Sequence, residues 1–398
     1  MDRERGRLGG YVTHLGRASA RPSARQKNGR VGPLADAGPL CGARRCGMKL
    51  FIEPMDVWLF RDGRPFSAGS DHRAQSLFPP YPSVMQGVIR SHHLVIQGID
   101  LLDQQAIEGA VGTATDYRDL RLRGPFIARR ENDHIIRYFP APADAAQSDG
   151  QLYPLAPQDK KPTGILTSAP TKLLLWDNKE PVKRKEEQWL SEAELLNYLG
   201  GKPATFTPAK ELFQREGRFG IGLDDATRTT RQEEGGGLLY EVEFIRPCEN
   251  VGLEIEVKGI KSWPTTGVMR MGGEGRAGRI EPSDAPAWPA LPHPLPSRFK
   301  VYFATPTYFT DGWRPRRWDE FFQGQVSLVA AAVGRYQSIG GFDWAKNDHK
   351  PSRRYVPAGS VYFFECQDQA SIKPDLANSA ITDVGAEIGF GQIIIGRW

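Results

Sequence analysis

Cysteine is scarce: Cys41, Cys46, Cys248 and Cys366 are the four in 398 residues. Their spacing, with seven scattered histidines, makes no zinc template, and no secretory signal accompanies them to suggest disulfides. The expected setting is reducing and cytoplasmic, with no metal and no other cofactor. Long apolar runs are missing too. The longest, at 326–333, falls far short of the ~18 residues that cross a bilayer, so no membrane association is expected. No G-x-S-x-G elbow or H-E-x-x-H helix occurs. His92 and His93, adjacent on a predicted helix, are not expected to face one site. Hydrolytic chemistry therefore has no template.

Most of the chain also lacks an excess of either charge. Residues 1–47 hold ten Lys/Arg against three acidic groups, whereas the rest carries 42 basic and 44 acidic groups, so the formal +5 belongs to the N-terminal segment. Nucleic-acid binding by the body must rest on local patches. Residues 1–47 show no hydrophobic periodicity and are expected to be a disordered tail or an over-extended start, a basic RNA-binding arm being the sharper alternative.

What is present is globular. Hydrophobic residues make up 39% and charged residues 25%, and 398 residues suit two or three domains. Gly 43 and Pro 31 require many turns and structured loops. The segment 49–60, interrupted by Pro54, predicts a strand with a bend, followed by a polar loop. Ser83 is the expected N-cap of a helix over 84–97 whose Val84, Val88, Leu94 and Val95 form the apolar stripe. Residues 144–201 look like an insertion with a strand at 172–176 and a helix near 191–199. A long hairpin is expected from 219–223 and 238–245, its polar tip projecting, and a strand at 251–258. Six prolines within 282–296 make a stiff linker and a domain boundary, giving units 48–295 and 296–398. Beyond it, strands are expected at 299–309, 355–365 and 392–398, with a helix at 318–335. The two halves share a strand-then-helix opening, which suggests duplication of a split β-α-β unit.

Gly273, Gly275 and Gly278 satisfy G-x-G-x-x-G literally, but the proline segment follows where a helix would have to start, so dinucleotide binding is not expected. The glycines allow close backbone approach, and Arg270, Arg276 and Arg279 beside them can cradle a phosphodiester; alternatively the turn is structural and its arginines pair with Glu274 and Glu281. Glycines recur at Gly340 and Gly341 near Arg335. From 298 to 354 there are ten basic and five acidic residues interleaved with Trp313, Trp318, Tyr336, Phe342, Trp344 and Tyr355. Arginines for phosphate and aromatics for bases suit single-stranded RNA, although most of these aromatics are expected to be core, Arg353 and Arg354 beside Lys350 being the exception. His72 and Arg73, in the polar loop, are contact candidates.

Several strings together resemble one family. PSVMQGVIR from residue 82 resembles the first-helix signature of RAMP proteins of CRISPR systems, and GAEIGFG from 385 their C-terminal glycine-rich loop. FIEPMDVWLFRDGRPF from 51, the hairpin sequence from 220, GGEGR from 272, RRYVPAGSVYFFE from 353 and the terminal GFGQIIIGRW then resemble, in this order, the third-subunit family of the type III-B Cmr effector, over 48–398. The resemblance implies an α/β (α+β) chain of two ferredoxin-like, RRM-like RAMP domains with glycine-rich loops and a projecting β-hairpin. It implies a noncatalytic subunit of a ribonucleoprotein for defence against foreign nucleic acid. Such a subunit holds the 5′ repeat-derived handle of the guide RNA, touches the large polymerase-like subunit and the first backbone RAMP subunit, and meets target RNA only indirectly. The expected RNA-binding set is His72, Arg73, Arg90, Arg228, Arg270, Gly272, Gly273, Gly275, Arg276, Arg335, Gly340, Gly341, Arg353, Arg354, Gly389 and Gly391. The rival expectation is an endoribonuclease that processes repeat RNA, with His72 as acid/base and Arg73 or Arg276 stabilising charge on phosphate.

Overall fold

The structure, a computed structural model, describes residues 47–61, 73–159, 166–167, 170–176, 186–223, 227, 229–230, 232–233, 236–237, 239–260, 263–264, 266–343, 348–367 and 369–398. The N-terminal basic segment to residue 46, His72, Arg228, Trp344 and most of the hairpin tip lie outside them.

The fold is mixed α/β, mostly antiparallel sheet with few helices. Its first strand, β1 (Met48–Pro54), buries Leu50 and Ile52 on one face and Phe51 on the other, so it is central in its sheet. Pro54 ends it, and the chain bends at Met55 and Asp56 before Trp58, which bridges Ile245. After a two-residue strand, β2 (Arg73–Ala74), comes helix α1 (Pro82–Ile96). Pro82 occupies its first turn and Tyr81 is the extended N-cap with no side-chain bond. The expected Ser83 cap is therefore wrong: the ring of Pro82 fixes φ for the first helical position, so the helix starts before the serine. The buried face is Met85, Ile89 and Leu94, with Val88 beside them, while Val84 and Val95 are exposed, so the stripe is rotated from the expected one. A short helix, α2 (Gln104–Val111), follows, capped by Asp103.

Strands β3 (Arg121–Glu131), β4 (His134–Pro140), β5 (Gln188–Ser191) and β6 (Thr207–Pro208) come next, with α3 (Glu192–Leu199) capped by Ser191 as its sequence suggests. The long hairpin is β7 (Phe213–Ile221) with β8 (Leu239–Pro247), paired from Phe213↔Pro247 to Ile221↔Leu239 and longer than expected. Then come β9 (Val251–Lys258), β10 (Gly267–Arg270) and β11 (Ala277–Pro282). The first sheet runs β6-β5-β4-β3-β9-β1-β11-β10. Within it β11-β1-β9-β3 are all antiparallel neighbours, which in chain order reads 4-1-3-2.

The second sheet contains β12 (Arg298–Phe303), β13 (Val326–Ala332), β16 (Val361–Cys366) and β17 (Ile393–Arg397), and a separate ribbon pairs β14 (Gln337–Asp343) with β15 (Asp348–Tyr355). Its order, β13-β16-β12-β17, is again antiparallel and again 4-1-3-2. The helix expected over 318–335 is absent. A 3-10 turn at Trp318–Glu320 is followed by Gly324 at φ 84 and then by β13, whose Val326 and Val329 suit a strand better than a helix. The single strand expected over 355–365 is split, because Gly359 at φ 87 turns the chain between β15 and β16.

The proline-rich segment is not a free spacer. Lys49 Nζ donates to the carbonyls of Ala285 and Pro286, Ala285 and Leu295 are buried, and Trp288 stacks on Phe126 at 5.1 Å. The sheets share a core of Phe126, Phe139 and Leu190 from the first and Tyr302, Val361, Phe363 and Ile394 from the second, with Tyr198 of α3 between them. Within it Lys300 Nζ lies 3.2 Å from Asp144 Oδ2, and Tyr198 donates to Asp144 Oδ1 at 2.8 Å.

Candidate nucleic-acid interface

Where α1 begins, the two sheets meet through an aromatic cluster. Ile339, Tyr355, Ile388 and Phe390 are buried together, and Tyr81, Tyr117 and Tyr308 pack against them. Tyr355 lies 5.3 Å from Tyr308 and 4.9 Å from Phe390, centroid to centroid. The glycine-rich loop 385–391 carries a 3-10 turn, Ala386–Ile388, and reaches back to the first sheet: Asn378 Nδ2 donates to the carbonyls of Leu122 at 3.0 Å and Ala386 at 2.9 Å. Gly389 explains why glycine is needed there. It sits at φ 106, and a Cβ would stand 2.5 Å from the Gly124 carbonyl oxygen. Burial pushes the Tyr117 and Tyr355 phenols up, so both stay protonated at neutral pH.

Cations ring this cluster. Arg353 stacks over Tyr308 at 5.0 Å and Arg354 over Tyr336 at 4.8 Å. Both arginines are exposed, and neither makes an ion pair among the described residues. Arg335 is exposed at the ribbon's foot. Arg90 lies over Tyr117 at 5.7 Å and donates to the Gly112 carbonyl at 2.8 Å. It also lines a cavity of about 290 Å³ with His93, Tyr117 and Arg118. Cations on aromatic faces, with accessible guanidinium edges, suit phosphates and unstacked bases.

The glycine turn of the first sheet is a different neighbourhood. It joins β10 to β11 in a hairpin, so no helix starts there. Gly272, at φ 83, comes so close to the 57–60 segment that a Cβ would meet the Leu59 carbonyl oxygen at 2.7 Å, and Gly273 N–H donates to that oxygen. Gly275 also has positive φ, 66°. Arg276 is engaged: it pairs with Asp56 at 3.3 Å and Glu274 at 3.7 Å and stacks over Phe244 at 4.8 Å, a ring that Arg218 also approaches, at 4.7 Å. Glu281 pairs with Arg130, at 2.5 Å, where the structural alternative expected an arginine of the turn. Arg270 is exposed.

The expected set is thus divided. Arg90, Arg335, Arg353, Arg354, Gly389 and Gly391 belong to the junction and its ribbon, with Gly340 opposite a bulge at Pro351 and Ser352 of β15 and Gly341 paired with Lys350. Gly272, Gly273, Gly275 and Arg276 lie at the base of β7–β8. Arg73 pairs in parallel register with Glu241, and His72 and Arg228 are outside the described residues. Trp313, Trp318 and Tyr355 are packed, as expected of most of these aromatics. His92 and His93 correct a sequence expectation, because both rings contact Trp263, at 5.1 and 6.2 Å; one indole is broad enough to be straddled by neighbouring positions of a helix. Sequence reasoning missed Tyr81, Tyr117 and Tyr308, which stand in three separate segments with no shared motif. Among the described residues no group of three His, Cys, Asp or Glu side chains can hold a metal ion, and no helix is long and apolar enough to cross a membrane.

Comparison places these features in a class, the CRISPR-associated proteins. Residues 50–398 match the family model described as CRISPR-associated protein (Cas_Cmr3), and the chain belongs to that family. No curated protein matches it. Among solved structures, it is similar to a chain of the type III-B Cmr-beta complex bound to cognate target RNA and AMPPnP, at 16% identity, covering 79% of this chain and 86% of that one with a TM-score of 0.44. The complex with cognate target RNA alone gives 17%, the same coverage and 0.44. A chain of the Csm3-Csm4 subcomplex of the type III-A interference complex gives 11%, 88% and 99%, and 0.35.

Proposed function

We propose that this chain is a noncatalytic RNA-binding subunit of a type III-B CRISPR effector complex, holding the 5′ repeat-derived handle of the guide RNA and bridging the large polymerase-like subunit to the first backbone RAMP subunit. The observation that carries the reading is the family match over 50–398. Two ferredoxin-like units are supported by the 4-1-3-2 strand order found in both sheets, the first with α1 as its crossover. Contact with RNA is supported by Arg353 and Arg354, exposed and stacked on tyrosines beside the glycine-rich loop. In such a site the protein fixes the strand by its backbone, and guide pairing reads the target.

The test is to assemble the chain with the other complex subunits and guide RNA, and to map nucleotides that crosslink to it. Crosslinks in the repeat-derived 5′ segment are expected, with no cleavage of repeat RNA by the isolated chain. Crosslinks confined to the guide's 3′ end would overturn handle binding, and metal-free cleavage would establish the endoribonuclease instead.

A further inference from the structure

The cavity beside α1 holds polar chemistry that the fold does not use. It encloses about 290 Å³ between α1, the end of α2 and the turn at Arg118 and Asp119, and Val111, Leu120 and Ile260 give it apolar walls. It adjoins the candidate interface, because Tyr117, which lines it, also packs against the cluster of Ile339, Tyr355, Ile388 and Phe390. Close backbone packing shapes it: Gly259 sits at φ 83, where a Cβ would collide with the Asp119 carbonyl oxygen.

Two lining groups have no partner. His93 Nδ1 is buried without a hydrogen bond, and the exposed Asp119 makes no side-chain hydrogen bond or ion pair among the described residues. Burial holds the His93 pKa below its ordinary value, so its ring is neutral at neutral pH and can accept or donate. A buried polar atom left unpaired in a cavity is explained by a ligand that pairs it. Cations stand beside these groups. Arg118 donates to the Gly109 carbonyl and Arg90 to that of Gly112, which holds both guanidiniums at the C-terminal end of α2. Capping accounts for those bonds. It does not account for the backbone of Arg118 at φ 51, which L residues seldom adopt, and Arg118 remains exposed with further N–H groups to offer.

We propose that this cavity takes one nucleotide, with the phosphate on Arg118, the base against Val111, Leu120 and Ile260, and the base edge at His93 and Asp119. An RNA strand lying on the junction can turn a nucleotide out past Tyr117, and a free mononucleotide offers the same groups. The strand as source deepens the RNA-binding reading above and rests on it. An acidic peptide fits less well: it answers Arg118 but meets like charge at Asp119. A nucleotide answers both, since phosphate takes a guanidinium and the amines of adenine, cytosine and guanine donate to a carboxylate.

The test measures binding of the purified full-length chain to a single-stranded repeat-derived RNA oligonucleotide across a salt series, and to each of the four nucleoside monophosphates by equilibrium dialysis. A110F, which puts a ring on the cavity wall, should abolish mononucleotide binding and weaken RNA binding roughly five- to hundredfold with the salt slope unchanged. R118Q should shrink the log-log slope by ~0.7, one contact. UMP, whose base has no amine, should bind least, and D119N should erase that difference. Arg118 and Asp119 are exposed, so R118Q and D119N decide the matter if A110F fails to fold. Wild-type affinity for both RNA and mononucleotides in the folded variants would overturn the cavity site while leaving the RNA-binding reading intact. Loss of mononucleotide binding with RNA binding unchanged would make the free nucleotide the occupant. Wild-type protein that binds mononucleotides but not RNA would overturn the RNA-binding reading and leave the cavity site standing, and absence of both would overturn both.

Discussion

Glu254 makes a quantitative test of how this fold is held together. It sits mid-strand in β9, between Phe51 of β1 and Phe126 of β3 in register, and is 1% exposed. Its available cation is Arg137, but that guanidinium is committed elsewhere: Nε and Nη2 bind Glu192 at 2.8 and 3.0 Å, and Nη2 also donates to the Pro286 carbonyl. Glu254 is left with a 3.9 Å approach from Nη1, and its Oε1 has no hydrogen-bond partner among the described residues. Burial therefore outweighs the attraction of Arg137 and Lys49 and raises its pKa from 4.5 to about 7. A folded-state pKa above the unfolded one means that the native state binds the extra proton. The associated stability is fully present below about pH 4.5 and is lost as pH rises through about 7. About 2.5 units at 1.36 kcal/mol each gives a loss on the order of 3 kcal/mol by pH 8. Glu254→Gln resembles the protonated acid at every pH. In urea denaturation it should match wild type at pH 4.5 and exceed it by about 3 kcal/mol at pH 8, with a melting temperature higher by on the order of 5 °C. A variant less stable than wild type at pH 8 would refute the reasoning, since the carboxylate would then be worth more to Arg137 than its burial costs.

Asp144→Ala leaves the Lys300 ammonium buried against Tyr198 and Phe363 without its counter-ion and should cost about 3–5 kcal/mol in chemical denaturation; adding Lys300→Met should recover most of it, and failure to recover would show that packing at Asp144 matters more than charge. Gly389→Ala forces a Cβ against the Gly124 carbonyl at positive φ and should destabilise by about 2 kcal/mol or more, read as a lower melting temperature and faster proteolysis at 385–391. Arg276→Gln breaks the pairs to Asp56 and Glu274 and the stack on Phe244, so it should cost about 1 kcal/mol of stability and leave the salt slope of RNA binding unchanged; a smaller slope would show that Arg276 leaves its acidic partners for phosphate.

Elements with one dominant local signal were legible in the sequence. The helix near 191–199 and the strand at 251–258 were expected where α3 and β9 lie, and the proline after 281 excluded a helix at the glycine turn. Failures arose where tertiary pairing overrode local preference. The run at 326–333 contains Ala330, Ala331 and Ala332, which read as helix, yet its backbone groups bond to β16. In 348–354, with both faces exposed, there is no apolar alternation to betray a strand. At the candidate site, the arginines stand out in the sequence but their partners in the fold do not. Nothing in the sequence near Arg276 points to Asp56, 220 residues away, and that contact decides whether its charge is available.

The repeated 4-1-3-2 order accounts for the location of the two projections along the chain. Backbone ladders conserve a strand order without asking for particular side chains, so the covering layer can change freely. The first sheet's chain crosses from β1 to β3 through α1. The second sheet's chain crosses from β12 to β13 through a loop that packs Phe309, Trp313, Trp318, Phe321 and Phe322 into its core. In this order the second and third strands are antiparallel neighbours, so the chain leaves one and enters the other at the same end of the sheet, as Arg129↔Val251 and Ala332↔Val361 do here. An insertion at that point need not cross the sheet or disturb its core. Both β7–β8 and β14–β15 occupy this position, where a projection can acquire a new surface at little cost to folding.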